Sequence, residues 1–544
     1  MWRLALLQRG PKWVPFLLLG LLLPALLLAQ APDRILHNGK ILTVDQEFSI
    51  VEALAVSDNQ ISATGSNEDL LGLADKNTDV IDLEGRTVLP GLIDSHLHYL
   101  RGTTFAAYGT EIYGVTSRQE VLDRIRARAN ELGPGKWVFV IGGWNEQQFV
   151  DAPGGFSQQE LDDAAPDNPV YMQKSYLDFY MNKRAIDIIA PKIGDLYKGS
   201  ADVHTNGRDG RTVMYAALEH FPFAETLEGR MQEVREFNNY LNSLGITTVY
   251  DVGYLDGSYK PVAALHEAGE LSLRAFYALR YWADSPRTAV AAAELLEREE
   301  PFQRDDTFGM FGIGEHVYGL LHDFINNPTP FPQEIYDSFE LIVTAAAKNG
   351  WAINEHAMRD TTAQNMLDIS ERISETYPIA DLRWTLGHAD LISTESIERA
   401  KHLGWTMAVH NHTLKVPVEG RPSPPIRAIQ DSGIIWGMGS DGTMVSTSNP
   451  FHTIWEYTAG LVFPNIVKYR SNEVITRREA LIAHTRSNAY LLHMEDKIGT
   501  LEVGKLADLV VLDRDYLRTP TDEIRDIKAV MTIVDGEIVF RNGM

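Results

Sequence analysis

Cysteine is absent from the 544 residues. That excludes disulfides, thiolate nucleophiles and thiolate ligands, so any metal must be held by histidine and carboxylate. Positive charge is scarce beside negative: 49 Lys and Arg face 74 Asp and Glu, a formal net charge of −25. Such a balance disfavours nucleic acid and anionic membrane surfaces as partners. It leaves a small molecule as the expected partner and self-association as a homo-oligomer open. Internal repeats and low-complexity tracts are absent beyond one long apolar run, Val14 to Leu28. Arg3, Arg9 and Lys12 precede that run and Ala29-Gln30-Ala31 follows it. This is the basic region, apolar region and small-residue cleavage site of a secretory signal. Pro32 disfavours cleavage, so residues 1–31 read as a signal peptide or, alternatively, a retained membrane anchor. The run is short for a spanning helix. The expected location is outside the cytoplasm, periplasmic or membrane-anchored.

What remains is rich enough in core residues to fold. Hydrophobic residues make up 44% and charged residues 23%, which is a globular composition. The length allows a large core and a smaller module. Both ends read as strands with tight turns, at Asn38-Gly39, Asp58-Asn59, Glu84-Gly85 and Asp535-Gly536. They predict one small discontinuous β-domain built from both ends, residues 33–87 and 495–544. Between them, candidate strands at 88–96, 246–252, 273–282, 308–318, 351–356, 383–388, 405–411 and 434–440 alternate with helical patterns such as 333–348 and 394–403. Eight such units fit an α/β fold of the (β/α)8 barrel type over 88–494, although a doubly wound sheet fits the alternation too. The stretch of about 110–230 is too long for a plain connection and reads as an insertion above the barrel mouth.

The chemistry begins at Val88-Leu-Pro-Gly-Leu-Ile-Asp-Ser-His-Leu-His98. His96 and His98 stand two apart at the end of an apolar strand, so their rings share a side and suit one divalent metal. Glu315, His356, His388 and Asp441 each close a later strand-like run. Strand ends are where barrel enzymes place their reactive groups. His316, next to Glu315, is expected on the opposite strand face in a structural role, and Glu355 beside His356 is ambiguous.

The segment Pro-Gly-Leu-Ile-Asp-Ser-His-Leu-His resembles the metal motif of the amidohydrolase superfamily. So does the closing Gly499-Thr-Leu-Glu-Val-Gly-Lys-Leu-Ala-Asp-Leu-Val-Val-Leu-Asp513. Gly143-Trp-Asn and the long insertion resemble amidohydrolase family 3, the branch containing N-substituted formamide deformylases. The resemblance implies a distorted (β/α)8 barrel with a small β-sandwich. It implies His96, His98, His356, His388 and Asp441 as metal-site residues, holding one or two divalent ions, zinc first among them. Many relatives use a carboxylated lysine on the fourth strand. This chain has no Lys in 308–327, and Glu315 is the expected bridging substitute.

An ion bound by imidazoles and carboxylates acidifies a water to a pKa of roughly 7. Asp441 is the expected catalytic residue, taking that proton and returning it to a leaving amine. His410 and His412 share a face at the end of the seventh strand, where one could donate to an oxyanion. Trp144, Tyr176 and Tyr180 are candidate pocket aromatics, with local core as the plainer alternative. The function read from these features is exported, metal-dependent hydrolysis of amide-type C–N bonds. An esterase or lactonase, or a non-catalytic binding protein that keeps the metal shell, are the rivals.

Overall fold

Each barrel strand is a run of apolar residues that reads almost without interruption, because both of its faces are covered. The strands are β1 (Leu92–Leu97), β2 (Ile246–Tyr254), β3 (Arg274–Leu279), β4 (Phe308–Glu315), β5 (Ala352–Arg359), β6 (Thr385–Leu391), β7 (Thr406–His410) and β8 (Trp436–Gly439). In a computed structural model, which describes residues 31–174, 178–194, 208–254, 256–281, 283–324, 330–410 and 423–543, they form one eight-stranded sheet in sequential order. All the pairings are parallel. Helices pack outside, so the fold is a (β/α)8 barrel. Their limits follow local chemistry. Thr394–His402 starts from Ser393, whose hydroxyl accepts from the Ser396 amide at 3.1 Å. It stops before Gly404, at φ 79°, a left-handed conformation that glycine adopts without strain.

The barrel is distorted at its seam. Among the described residues no ladder joins β8 to β1. Instead the Asp441 amide donates to the His96 carbonyl at 2.8 Å, and the His98 amide to the Gly442 carbonyl at 3.0 Å. Asn488 Nδ2 reaches both the Ile93 carbonyl (2.6 Å) and the Met438 carbonyl (2.8 Å). The seam therefore lies where two site-bearing segments meet.

Strands from both ends of the chain share a six-stranded sheet that includes Lys40–Leu42, Thr87–Pro90, Leu509–Leu512 and Ala529–Val534. A four-stranded sheet from residues 34–82 lies beside it, and Leu36, Leu54, Val88, Leu509 and Ile533 fill one core. The expected first strand, 88–96, is in fact two. Thr87–Pro90 pairs antiparallel with Leu509–Leu512 in the sandwich, and the barrel strand starts only at Leu92. Gly91 makes the hand-over. A Cβ there would meet Thr247 Oγ1 at 2.2 Å, so only glycine lets the chain pass.

Arg274, at the start of β3, ties the sandwich to the barrel. Its guanidinium, 1% exposed, donates to Asp508 at 2.7 and 2.9 Å, to Asp535 at 2.9 Å and to the Asp306 carbonyl at 2.8 Å. Asp508 is the aspartate of the closing Lys-Leu-Ala-Asp motif. The segment between β1 and β2 builds its own three-stranded sheet, Val138–Ile141, Val170–Gln173 and Phe179–Met181. Met444 and Val445, from the loop after β8, pack into its core and hold it against the barrel.

Candidate metal centre

The strand ends converge on Glu315. This carboxylate closes β4 and is 4% exposed. Its Oε1 lies 2.7 Å from His356 Nδ1 on β5, 3.0 Å from His388 Nε2 on β6 and 3.9 Å from His96 Nε2 on β1. Its Oε2 lies 3.7 Å from His98 Nε2, just past β1. Asp441 completes the group, with Oδ1 3.2 Å from His98 Nε2 and 3.9 Å from His96 Nε2. Five positions expected from strand ends are thus brought together around the sixth. His96, His98 and Glu315 form one donor set; Glu315, His356 and His388 form another; His96, His388, His410 and Asp441 form a third. Within each set the donor atoms lie within 4.8 Å of one another.

The electrostatics suit a cation. Burial drives His96 down to about 3, despite the opposing pull of Glu315 and Asp441, so its ring is neutral. Neither of its nitrogens has a hydrogen-bond partner. A buried imidazole left so is costly unless something takes its lone pair. Burial lowers His356, but hydrogen bonds with Asp323 and Glu315 outweigh it and raise it to about 10. Burial raises Glu315, yet the His356 and His388 hydrogen bonds hold it well below the usual carboxylate range. His356 thus carries the charge that balances Glu315, and a divalent ion taking Nδ1 would displace that proton. Its Nε2 lies 2.7 Å from the Asp323 carbonyl, the outer partner that orients a ligating imidazole. Imidazole and carboxylate donors without thiolate fit a first-row transition ion.

The backbone is strained at these residues. His388 (φ 73°), Ala389 (φ 55°) and Asp441 (φ 52°) adopt left-handed conformations that cost non-glycine residues about 1–3 kcal/mol each. The Asp94 carboxylate supports the seam below them. It accepts from the His96 amide at 3.1 Å and the Ser440 amide at 3.0 Å. Burial pushes it up to about 6.

Other expectations fare differently. His410 ends β7 beside the cluster, its ring centroid 3.9 Å from His96 and 4.2 Å from His388. His412 and Tyr176 lie outside the described residues. Trp144 does not face the cluster. It is fully buried in the insertion's core with Phe149, Phe156 and Tyr180, and its Nε1 donates to the Gln173 carbonyl at 2.9 Å. The indole found its polar partner inside the insertion, so the pocket-wall expectation is corrected in favour of core. The expectation that His316 points to the opposite strand face does not hold. β4 stops at Glu315, so strand alternation no longer governs the next residue, and His316 Nε2 lies 3.9 Å from Glu315 Oε2. Glu355 is buried in register with Glu315 and accepts the Val317 amide at 2.9 Å. His322 and Asp323 escaped the sequence reading. They sit in the loop after β4, and no strand end marks them.

Known proteins share the sequence and the fold of this chain. The Arabidopsis thaliana protein LONG AFTER FAR-RED 3 is 26% identical, over 88% of this chain and 87% of that one. An N-substituted formamide deformylase from Arthrobacter pascens is 25% identical, over 94% of this chain and 99% of its own length. A crystal structure of an uncharacterized metal-dependent hydrolase from Pyrococcus furiosus superposes with a TM-score of 0.62 at 22% identity, covering 89% of this chain and all of that one, which shows the shared fold. The profile of the amidohydrolase family matches residues 79–540. With most of its length matched, the chain belongs to the amidohydrolase family.

Proposed function

We propose that the protein is an exported metal-dependent hydrolase of amide-type carbon–nitrogen bonds in small molecules. One observation carries this reading: two buried carboxylates, Glu315 and Asp441, converge with His96, His98, His356 and His388 at the strand ends of a barrel. Those six residues would hold one or two divalent ions, zinc first among them. When bound, such an ion polarises the scissile carbonyl and makes a water acidic enough to attack near neutral pH. Asp441 is the group placed to accept that water's proton and return it to the departing amine, as general base and then general acid. Its backbone bond to the His96 carbonyl at 2.8 Å fixes it against β1. His410, beside His96 and His388, is placed to donate a hydrogen bond to the developing oxyanion. Glu315 joins the two imidazole pairs, the place a modified lysine takes in many relatives.

Amides are favoured over esters because the aligned Arthrobacter pascens relative is named as an N-substituted formamide deformylase. Export rests on the basic and apolar pattern of residues 1–31. The test is elemental analysis after reconstitution with zinc, manganese and cobalt, followed by turnover on N-formyl and N-acyl amides beside matched esters and lactones. Stoichiometric metal with amide turnover is expected. Metal-free protein, or turnover of esters alone, overturns the proposal.

A further inference from the structure

The loop after β4 carries a second layer of histidines that the proposed reaction does not use. His316 and His322 lie with their ring centroids 4.0 Å apart, and His322 lies 3.9 Å from the His356 ring. Nδ1 of each is buried and has no hydrogen-bond partner. His316 Nε2 faces Glu315 Oε2 at 3.9 Å, the oxygen turned away from His356 and His388. Glu315, His316 and His322 each offer a donor atom, and the three atoms lie within 4.8 Å of one another. A tetrahedral ion with bonds of about 2.0–2.1 Å spaces its donors roughly 3.3–3.5 Å apart. Closing the set around an ion therefore needs side-chain shifts of under about 1 Å, within the reach of rotamer adjustment in a loop.

Charge points the same way. One buried carboxylate, Glu315, faces the His316 ring. Arg280 is near enough to His316 to act on it and opposes a cation there. Glu315 supplies the negative charge that stands against that guanidinium. His316 and His322 are also partly exposed, unlike the fully enclosed His96. An ion can reach them from solvent and leave again.

We propose that Glu315, His316 and His322 form an accessory site for a divalent transition ion, distinct from the reaction centre and sharing only Glu315 with it. Two imidazoles and one carboxylate select zinc, cobalt, nickel or copper over magnesium and calcium. The inference rests on the proposed reading of Glu315 as a metal ligand. Partial exposure and one nearby cation make this site weaker than the reaction centre, so it fills last.

The experiment is equilibrium dialysis of the full chain against a zinc series, with bound zinc counted by elemental analysis. His322→Ala and His316→Gln are compared with His388→Ala and with the native chain, each checked by a melting curve. The native chain should show a late-filling equivalent that His322→Ala lacks, while the tighter equivalents persist. His388→Ala should lose a tight equivalent instead. If His322→Ala does not fold, His316→Gln, which keeps a polar side chain of similar reach, should weaken the late equivalent by about tenfold or more. Native-like stoichiometry and affinity in the folded His322→Ala or His316→Gln variant would overturn the accessory site and leave the reaction centre standing. Absence of tight zinc in the native chain would overturn both.

Discussion

Replacing Glu315 by glutamine tests the centre at the residue on which everything converges. The change preserves shape and removes one negative charge. The carboxylate now serves His356 and His388 through Oε1, at 2.7 and 3.0 Å, and faces His98 through Oε2, at 3.7 Å. Glutamine keeps one carbonyl oxygen, and its amide nitrogen must take the other place. If the oxygen stays with His356 and His388, an NH2 group with no lone pair to give faces His98. One of the two positions therefore loses its carboxylate donor altogether, and the other keeps a neutral oxygen. A unit charge pair about 4 Å apart is worth roughly 4 kcal/mol at an effective dielectric near 20. A divalent ion feels up to twice that, and the retained dipole of the amide recovers part of it. A net loss near 4 kcal/mol is about a thousandfold in affinity. The expected result is one tight equivalent of metal lost, the second weakened, and turnover reduced in proportion to the metal lost. Elemental analysis and zinc titration on one preparation measure this, with a melting curve to confirm folding. A folded Glu315→Gln protein with full stoichiometry and native zinc affinity would refute the bridging role and leave Glu315 as an outer group orienting histidines.

Three further outcomes follow from the same geometry. Asp441→Asn should keep its fold and at least one metal equivalent but lose roughly 10²–10⁴-fold in kcat, the usual worth of a general acid–base group; near-native kcat with full metal would remove Asp441 from proton transfer. Arg274→Met should destabilise the docking of sandwich on barrel by about 3–5 kcal/mol, because Asp508 stays buried without its partner, and Arg274→Met/Asp508→Leu should recover much of that loss in a denaturation series at fixed metal. Cell fractionation should find the protein outside the cytoplasm, free or membrane-bound; a cytoplasmic protein retaining Met1 and unattached to membrane would exclude export.

Most of the barrel was legible because parallel strands covered on both faces announce themselves as unbroken apolar runs, and because chemistry in this fold sits where those runs stop. His96, Glu315, His356, His388 and Asp441 were found by that rule, and the structure gathers them around one point. The rule fails wherever a contact is made by residues that no run marks. His322 and Asp323 lie in the loop after β4, and only the folding of that loop beneath β5 brings them to His356. His316 was misjudged because two-residue alternation was carried one position beyond the strand that justified it. Trp144 stood between two readings because a large aromatic near a barrel mouth reads alike whether it faces substrate or its own domain. Its buried bond to the Gln173 carbonyl decides the matter, and Gln173 lies on a neighbouring strand that no local pattern connects to it. The Lys-Leu-Ala-Asp motif shows the converse. Its sequence signalled the family, but its physical work appears only when Asp508 meets Arg274 across the two domains. A strand-end carboxylate can be found from one dimension, whereas the residues that set its charge and orientation are supplied by neighbours in space. For that reason the metal count, and not the fold, is the measurement on which the reading of this centre turns.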